Sequence, residues 1–281
     1  LILTRIKTLT RNSLDYTILR IKWLLSKSNY ESSSNIHAHL LVVKKPIYAK
    51  VVRTCIESFL YHHPDSQVSI YCDKATISSL RRRLFLVRHL KANVLTLKLI
   101  DSDDTWQTSK LFLLTQLNSP NDIFLDADLK FNGRLPLLRT ITFFVKEENF
   151  LVQPQRTNIL ESKTLASTNR NTSIFSWSGK VPDAAQFQIL DEIYSSLEDI
   201  LLPDAKREEY LGRLREQISI SIFVDILKMD VGYIKFEDSQ FDGKIVESSY
   251  FGATGSLFGA LGNRTLRSKI GAYFLGSSKN S

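Results

Sequence analysis

Between residues 36 and 125 the apolar residues alternate between strand-like runs and helical spacing, and this alternation restricts the folds open to the chain. Ala38-His39-Leu40-Leu41-Val42-Val43 is a short apolar run of strand length. After Pro46, residues Tyr48, Val51, Val52, Cys55, Ile56, Phe59 and Leu60 recur at helical spacing until His63-Pro64-Asp65 stops the helix. Val68–Cys72 reads as a second strand closing on Asp73, residues 74–91 as a helix and Val94–Ile100 as a third strand. A helix over Thr105–Leu117 precedes a fourth strand at Asp122–Leu125. Strands separated by helices predict an α/β fold with a mostly parallel sheet covered on both faces. Ligands of such sheets bind beyond the carboxyl ends of the strands.

Asp126 and Asp128 stand at such an end, and Asp73 stands at another. Two carboxylates one residue apart are hard oxygen donors that suit Mg²⁺ or Mn²⁺, ions that take remaining ligands from water and substrate phosphates. An ordinary surface turn after a strand is the competing reading, since Asp is common in turns. Leu129–Gly133 is expected to turn the chain away and leave room for a ligand. Arg81, Arg82, Arg83 and Arg88 read as the solvated face of a helix rather than a phosphate patch. The five histidines, His37, His39, His62, His63 and His89, contain no i, i+4 metal pair, and none follows His89 to serve a Ser–His–acid hydrolase.

The 281 residues, 43% hydrophobic and 23% charged, suit a globular protein with a substantial core. The net charge of +8 is concentrated at one end: residues 1–30 carry six basic side chains against Asp15, which is +5. General nucleic-acid binding is therefore not expected. Leu14, Ile18, Ile21 and Leu25 form a helical stripe beside Arg20, Lys22 and Lys27. That pattern fits a peripheral helix on an anionic membrane, or a helix packed on the domain with a solvated basic face. Residues 29–35, rich in Ser, read as a linker. Cys55 and Cys72 fall at core positions with no disulfide or zinc spacing, so a reducing, cytoplasmic setting is expected. No run reaches the roughly 18 apolar residues of a membrane span. The sequence opens on Leu rather than Met, so the natural N-terminus is expected to lie upstream.

The second half is read as strands at Phe150–Pro154 and Thr172–Trp177, with long helices over 183–201 and 206–228 parted by Leu201-Leu202-Pro203-Asp204. A final helix over Leu266–Leu275 and a frayed tail at 276–281 complete one catalytic domain, residues 36–275. Its halves are 36–133 for nucleotide and 134–275 for acceptor, and residues 1–35 form an extension.

Trp106-Gln107-Thr108-Ser109-Lys110-Leu111, followed by Asn121-Asp122-Ile123-Phe124-Leu125-Asp126-Ala127-Asp128, resembles the core of GT-A-fold glycosyltransferases, in particular the glycogenin-like and lipopolysaccharide galactosyltransferase-like retaining enzymes. The resemblance spans roughly residues 36–230 and is strongest over 106–133. It implies that Asp126 and Asp128 ligate Mn²⁺ or Mg²⁺, and that Lys110 and Ala127 face a nucleotide-sugar donor, UDP-linked by preference. Val43, ending the first strand, and Asp73 match the segments that hold the nucleoside. Asn171-Thr172-Ser173-Ile174-Phe175 is similar to the segment beside the donor sugar, with Ser173 in place of a Gly. Glu216-Gln217 is similar to the family's Asp-Gln pair, which makes Glu216, Gln217 and Asn171 the candidate catalytic residues. The implied reaction moves a sugar to a glycan, lipid or protein acceptor with retention of configuration.

The family's late His-x-x-Gly metal segment has no counterpart. Ser249–Ser256 puts Tyr250 near that place, and water or Glu247 would complete the coordination. Glycines within 252–262 are read as a loop that could close over the pyrophosphate, or as a surface turn. Three alternatives remain: a degenerate nucleotide-sugar-binding or scaffold protein, a HAD-type phosphatase with Asp126 as nucleophile, and a nucleotidyltransferase.

Overall fold

The computed structural model describes residues 36–43, 48–85, 87, 95–100, 106–131, 133–136, 138–154, 165–201, 207–212, 214–234 and 246–248. The N-terminal extension, Arg88 and the end of its helix, the Ser249–Ser256 and 252–262 segments, the Leu266–Leu275 helix and the tail lie outside them.

The alternation seen in the sequence is realised. Strand β1 (His37–Val42) is followed by helix α1 (Tyr48–His62), β2 (Gln67–Cys72), α2 (Lys74–Arg83), β3 (Leu95–Leu99), α3 (Trp106–Thr115) and β4 (Asp122–Leu125). These four strands are parallel, with β1 central: His37 pairs with Gln67 on one side and with Asp122 on the other. The sheet then extends through two long strands, β6 (Ile141–Pro154) and β7 (Leu165–Ser176), in the order β3-β2-β1-β4-β7-β6-β8. Strand β7 runs antiparallel to both β4 and β6. The short strands β8 (Ile200–Leu201) and β9 (Val231–Tyr233) pair with opposite ends of β6. The fold is α/β, a mostly parallel mixed sheet flanked by helices.

Alternation of side chains along each strand divides the core into two layers. Ala38, Leu40, Val42, Val68, Ile70, Ile123 and Leu125 face α1 and α2, where Val52, Cys55, Ile56, Phe59 and Leu80 meet them. Phe124, Phe143 and Phe175 face the other side, against Leu111 and Leu114 of α3, Leu190 and Ile193 of α4 (Ala184–Ser195), and Ile220 and Phe223 of α6 (Arg215–Ile226). Complete burial of such side chains contributes about 1.5–3 kcal/mol each. Trp177 sits within the second layer, edge-on to Phe175, and its Nε1–H donates to the Leu114 carbonyl at 2.8 Å. Both cysteines are fully buried core residues, as their positions in the pattern predict.

Three expectations are corrected. Leu129–Phe131 does not turn away but forms strand β5, paired antiparallel with β10 (Val246–Ser248). Leu129 and Phe131 are buried on either side of Lys130, a period of two, and the Phe131 N–H donates to Ser58 Oγ on α1 at 2.9 Å. The helix expected over 183–201 ends at Ser195, and a 3₁₀ turn at Leu197–Asp199 leads into β8. The helix expected over 206–228 is two, α5 (Arg207–Gly212) and α6, with Gly212 at the break. Glycine weakens a helix interior by about 1 kcal/mol relative to alanine. The strands expected at 150–154 and 172–177 are the ends of β6 and β7. The first half of β7, Leu165–Arg170, is too polar to announce itself by hydrophobicity, whereas the apolar Ile141–Val145 that opens β6 was a usable signal.

Candidate active site

Strand β4 delivers Asp126 to the carboxyl edge of the sheet, where Asp126-Ala127-Asp128 forms the turn into β5. Asp126 is held on both sides of its backbone. Its N–H donates to the Ser173 carbonyl of β7 at 2.8 Å, and its carbonyl accepts from Leu129 N at 3.3 Å. Cys55 Sγ of α1 lies 3.6 Å from the same carbonyl. Ala127 packs into the α1–α2 layer. The turn between the two acids is therefore anchored to the core.

Helix α3 supplies Lys110. Gln107, Lys110, Leu111 and Leu114 fall at i, i+3, i+4 and i+7 and are all buried, so the helix presses a stripe containing one lysine against the sheet. Lys110 Nζ donates to Asp126 Oδ1 at 3.0 Å, lies 3.5 Å from Glu216 Oε1, and sits 4.9 Å from the centre of the Phe124 ring. Glu216 enters from the first turn of α6, where the helix dipole favours an acid. Three residues from distant segments thus meet around one ammonium group.

The electrostatics of this cluster are unbalanced. Burial acts to lower the Lys110 pKa, but Asp126 and Glu216 outweigh it and hold the ammonium above the usual lysine value. Burial raises Glu216 despite Lys110, and Asp126 adds to the rise. The Glu216 Oε2 atom is buried with no hydrogen-bond partner. Asp128, half-buried, is pushed up to about 7 by burial and then by the charge of Asp126. Fully ionised, Asp126, Asp128 and Glu216 set three negative charges against the single positive charge of Lys110. The arrangement has room in its charge balance for a cation, and its donors are all hard oxygens.

The other predicted residues join the cluster through a ring of hydrogen bonds. The Ser173 N–H donates to Asn171 Oδ1 at 2.8 Å, and Asn171 Nδ2 donates to Glu147 Oε1 at 3.3 Å. Asn169 Nδ2 donates to Glu147 Oε2 at 2.6 Å, and Gln217 Nε2 donates to Asn169 Oδ1 at 2.7 Å. Gln217 adjoins Glu216, which returns to Lys110, Asp126 and Ser173. The positions of Glu147 on β6 and Asn169 on β7 complete this ring, and neither is singled out by the sequence reading. Asn169 and Asn171 lie two apart on one strand, hence on one face; that spacing was a usable signal.

Asp73 is placed differently. It is the N-cap of α2, its Oδ1 accepting from Thr76 N at 2.8 Å and Thr76 Oγ1 at 2.7 Å. Thr76 Oγ1 is also 2.9 Å from the Val42 carbonyl. The cap ties the carboxyl ends of β1 and β2 together, and Val43 follows, buried. Arg81 and Arg82 are exposed on α2, in keeping with a solvated face.

No protein-family model and no curated protein matches the chain. Among solved structures it is similar to the PaToxG glycosyltransferase, with 11% identity over 78% of this chain and 79% of that one and a TM-score of 0.37. It is similar to an active-site mutant of LgtC at 11% identity over 59% and 66% of the two chains, TM-score 0.41. A structure from Bacillus anthracis described as a glucose-1-phosphate thymidylyltransferase gives 11% over 83% and 95%, TM-score 0.40. Similarity of this size carries no argument about activity, which rests on the geometry of the cluster.

Proposed function

We propose that the chain is a metal-dependent glycosyltransferase that uses a nucleotide-diphosphate sugar, UDP-linked by preference, and that sugar transfer proceeds with retention. The observation that carries this reading is the convergence of Asp126, Lys110 and Glu216 at the carboxyl end of β4, with Asp128 beside them and more negative than positive charge. Asp126 and Asp128 would hold Mn²⁺ or Mg²⁺, which when bound supplies Lewis-acid stabilisation to a departing diphosphate. Lys110 contributes a fixed ammonium at the same edge, already oriented by two carboxylates, so it costs no reorganisation as charge develops. Glu216 Oε2, unpartnered, is the acceptor best placed to orient a hydroxyl of donor or acceptor. Gln217 and Asn171 hold their amides fixed through Asn169 and Glu147. Val43 and Asp73 would border the nucleoside at the ends of β1 and β2. The acceptor is a glycan, lipid or protein. Among the described residues no helix is long and apolar enough to cross a membrane. Contact with an anionic membrane surface falls to residues 1–30; Lys22→Glu/Lys27→Glu should then abolish co-sedimentation of the full chain with anionic liposomes.

The test is incubation of the full chain with Mn²⁺ and a panel of nucleotide sugars. Release of nucleoside diphosphate is expected, and Asp128→Asn should reduce it at least 100-fold. Pyrophosphate release from a sugar 1-phosphate and a nucleoside triphosphate would replace the reading by a nucleotidyltransferase. Absence of turnover together with metal-independent nucleotide binding would replace it by a binding protein.

A further inference from the structure

We propose a second metal site, distinct from the acidic cluster, in which His37, His39 and Asp122 bind one divalent transition-metal ion of the zinc class. The two histidines lie two apart on β1, so both project from the same face, and the pairing of β1 with β4 brings Asp122 to that face 83 positions after His39. The three side chains gather at the amino-terminal edge of the sheet, opposite the end occupied by Asp126 and Lys110. The inference stands independently of the proposed transferase activity.

The geometry suits a metal. His37 Nδ1 lies 3.3 Å and His39 Nε2 3.0 Å from Asp122 Oδ1, and the three ligand atoms all fall within 4.8 Å of one another. Ligands about 2.0–2.1 Å from a tetrahedral zinc ion stand roughly 3.3 Å apart, so two of the edges are already near that length. Each ligand is also oriented from behind. His37 Nε2 is 2.8 Å from Ser69 Oγ, and His39 Nδ1 is 3.2 Å from the Tyr71 hydroxyl. Asp122 Oδ2 accepts the N–H groups of Asn118 at 3.1 Å and Ser119 at 2.9 Å. Partners on the far atom of every ligand are what metal sites use to fix ring orientation and tautomer. Lys98 Nζ donates to the Tyr71 oxygen at 3.1 Å, leaving that oxygen a second lone pair for a His39 Nδ1–H.

The donor set selects the metal. Two imidazoles and one carboxylate favour zinc over Mg²⁺ or Mn²⁺, which prefer oxygen alone. His39 and Asp122 are buried, at 5% and 6% side-chain exposure, while His37 is 30% exposed and opens the site to solvent. The protein supplies three ligands and leaves the fourth position to water. In the metal-free chain a ring N–H of each neutral histidine would point at Asp122 Oδ1; metal binding moves that proton to the other ring nitrogen, His37 Nε2 toward Ser69 Oγ and His39 Nδ1 toward the Tyr71 oxygen.

Titration of the chelator-treated full chain with Co²⁺, a spectroscopic substitute for Zn²⁺, tests this. One equivalent should bind with the intense visible absorption of a four-coordinate ion, and Zn²⁺ should discharge the band. Asp128→Asn should leave the titration unchanged. His37→Gln and Asp122→Asn should weaken Co²⁺ binding at least tenfold, and Zn²⁺ should raise the thermal midpoint of the wild type but not of His37→Gln. His37 is the most exposed ligand, so its variant decides the matter if Asp122→Asn fails to fold. A folded His37→Gln that binds Co²⁺ like the wild type, or a wild type with no such band in excess Co²⁺, overturns the site.

Discussion

Replacing Lys110 by methionine tests the central cluster most directly, because the substitution keeps the length of the side chain and removes only its charge. At 3.0 and 3.5 Å from two carboxylate oxygens, and with an effective dielectric constant of about 20, each contact is worth roughly 5 kcal/mol before desolvation is subtracted. Desolvation of three buried or half-buried ions consumes most of that sum. The variant does not recover the desolvation of Asp126 and Glu216, so it should lose about 3–5 kcal/mol of stability at pH 7, the usual cost of leaving buried charge uncompensated. Adding Glu216→Gln removes one of the stranded carboxylates. The double variant should therefore be more stable than the sum of the singles predicts, with a coupling of about 1–3 kcal/mol. Urea unfolding of the wild type, both singles and the double variant measures all four corners. Additivity within about 0.5 kcal/mol would show that the ammonium and Glu216 do not interact, and the charge-balance reasoning for the site would fall with it.

Asp128→Asn removes a carboxylate on which Asp126 acts more strongly than Lys110, so it should abolish metal-dependent turnover while leaving the thermal midpoint unchanged or higher; a lower midpoint would mean that Asp128 is structural. Asn169→Ala breaks the ring between Glu147 and Gln217 and leaves the buried Gln217 amide short of a bond, while water can serve the exposed Glu147 carboxylate. It should cost about 1–3 kcal/mol in unfolding experiments and reduce kcat at least tenfold with little change in Mn²⁺ affinity, which separates a positioning role from a ligating one. His63 accepts the Leu135 N–H at Nε2 (2.9 Å), and burial, with His62 and Arg134 nearby, lowers its pKa to about 3. The unfolded chain protonates this residue near 6.5 while the folded chain resists, so stability falls as pH drops from about 6.5 toward 3. Between pH 7 and 4.5, His63→Gln should lose about 2–3 kcal/mol less than the wild type; parallel pH profiles would refute this.

The local periods of the sequence determined the first four strands and three helices, because strands buried on both faces are nearly continuous in apolar residues and amphipathic helices repeat every 3.6. They also determined that Asp126 and Asp128 end a strand, since the apolar run simply stops there. What local pattern could not express is pairing between distant segments. The polar first half of β7 becomes a strand only because β6 satisfies its backbone. Leu129–Phe131 becomes one because α1 and β10 receive it. The same holds for chemistry: Lys110 and Glu216 are two ordinary helix residues until packing seats them 3.5 Å apart, and Glu147 carries no mark of the ring it closes with Asn169. His37 and His39 fit no helical metal spacing, yet a strand brings i and i+2 to one face and the sheet supplies Asp122. Sequence specifies which side chains a segment can present and in what rhythm; only the folded sheet, by choosing neighbours across long separations, decides which of them share an electric field.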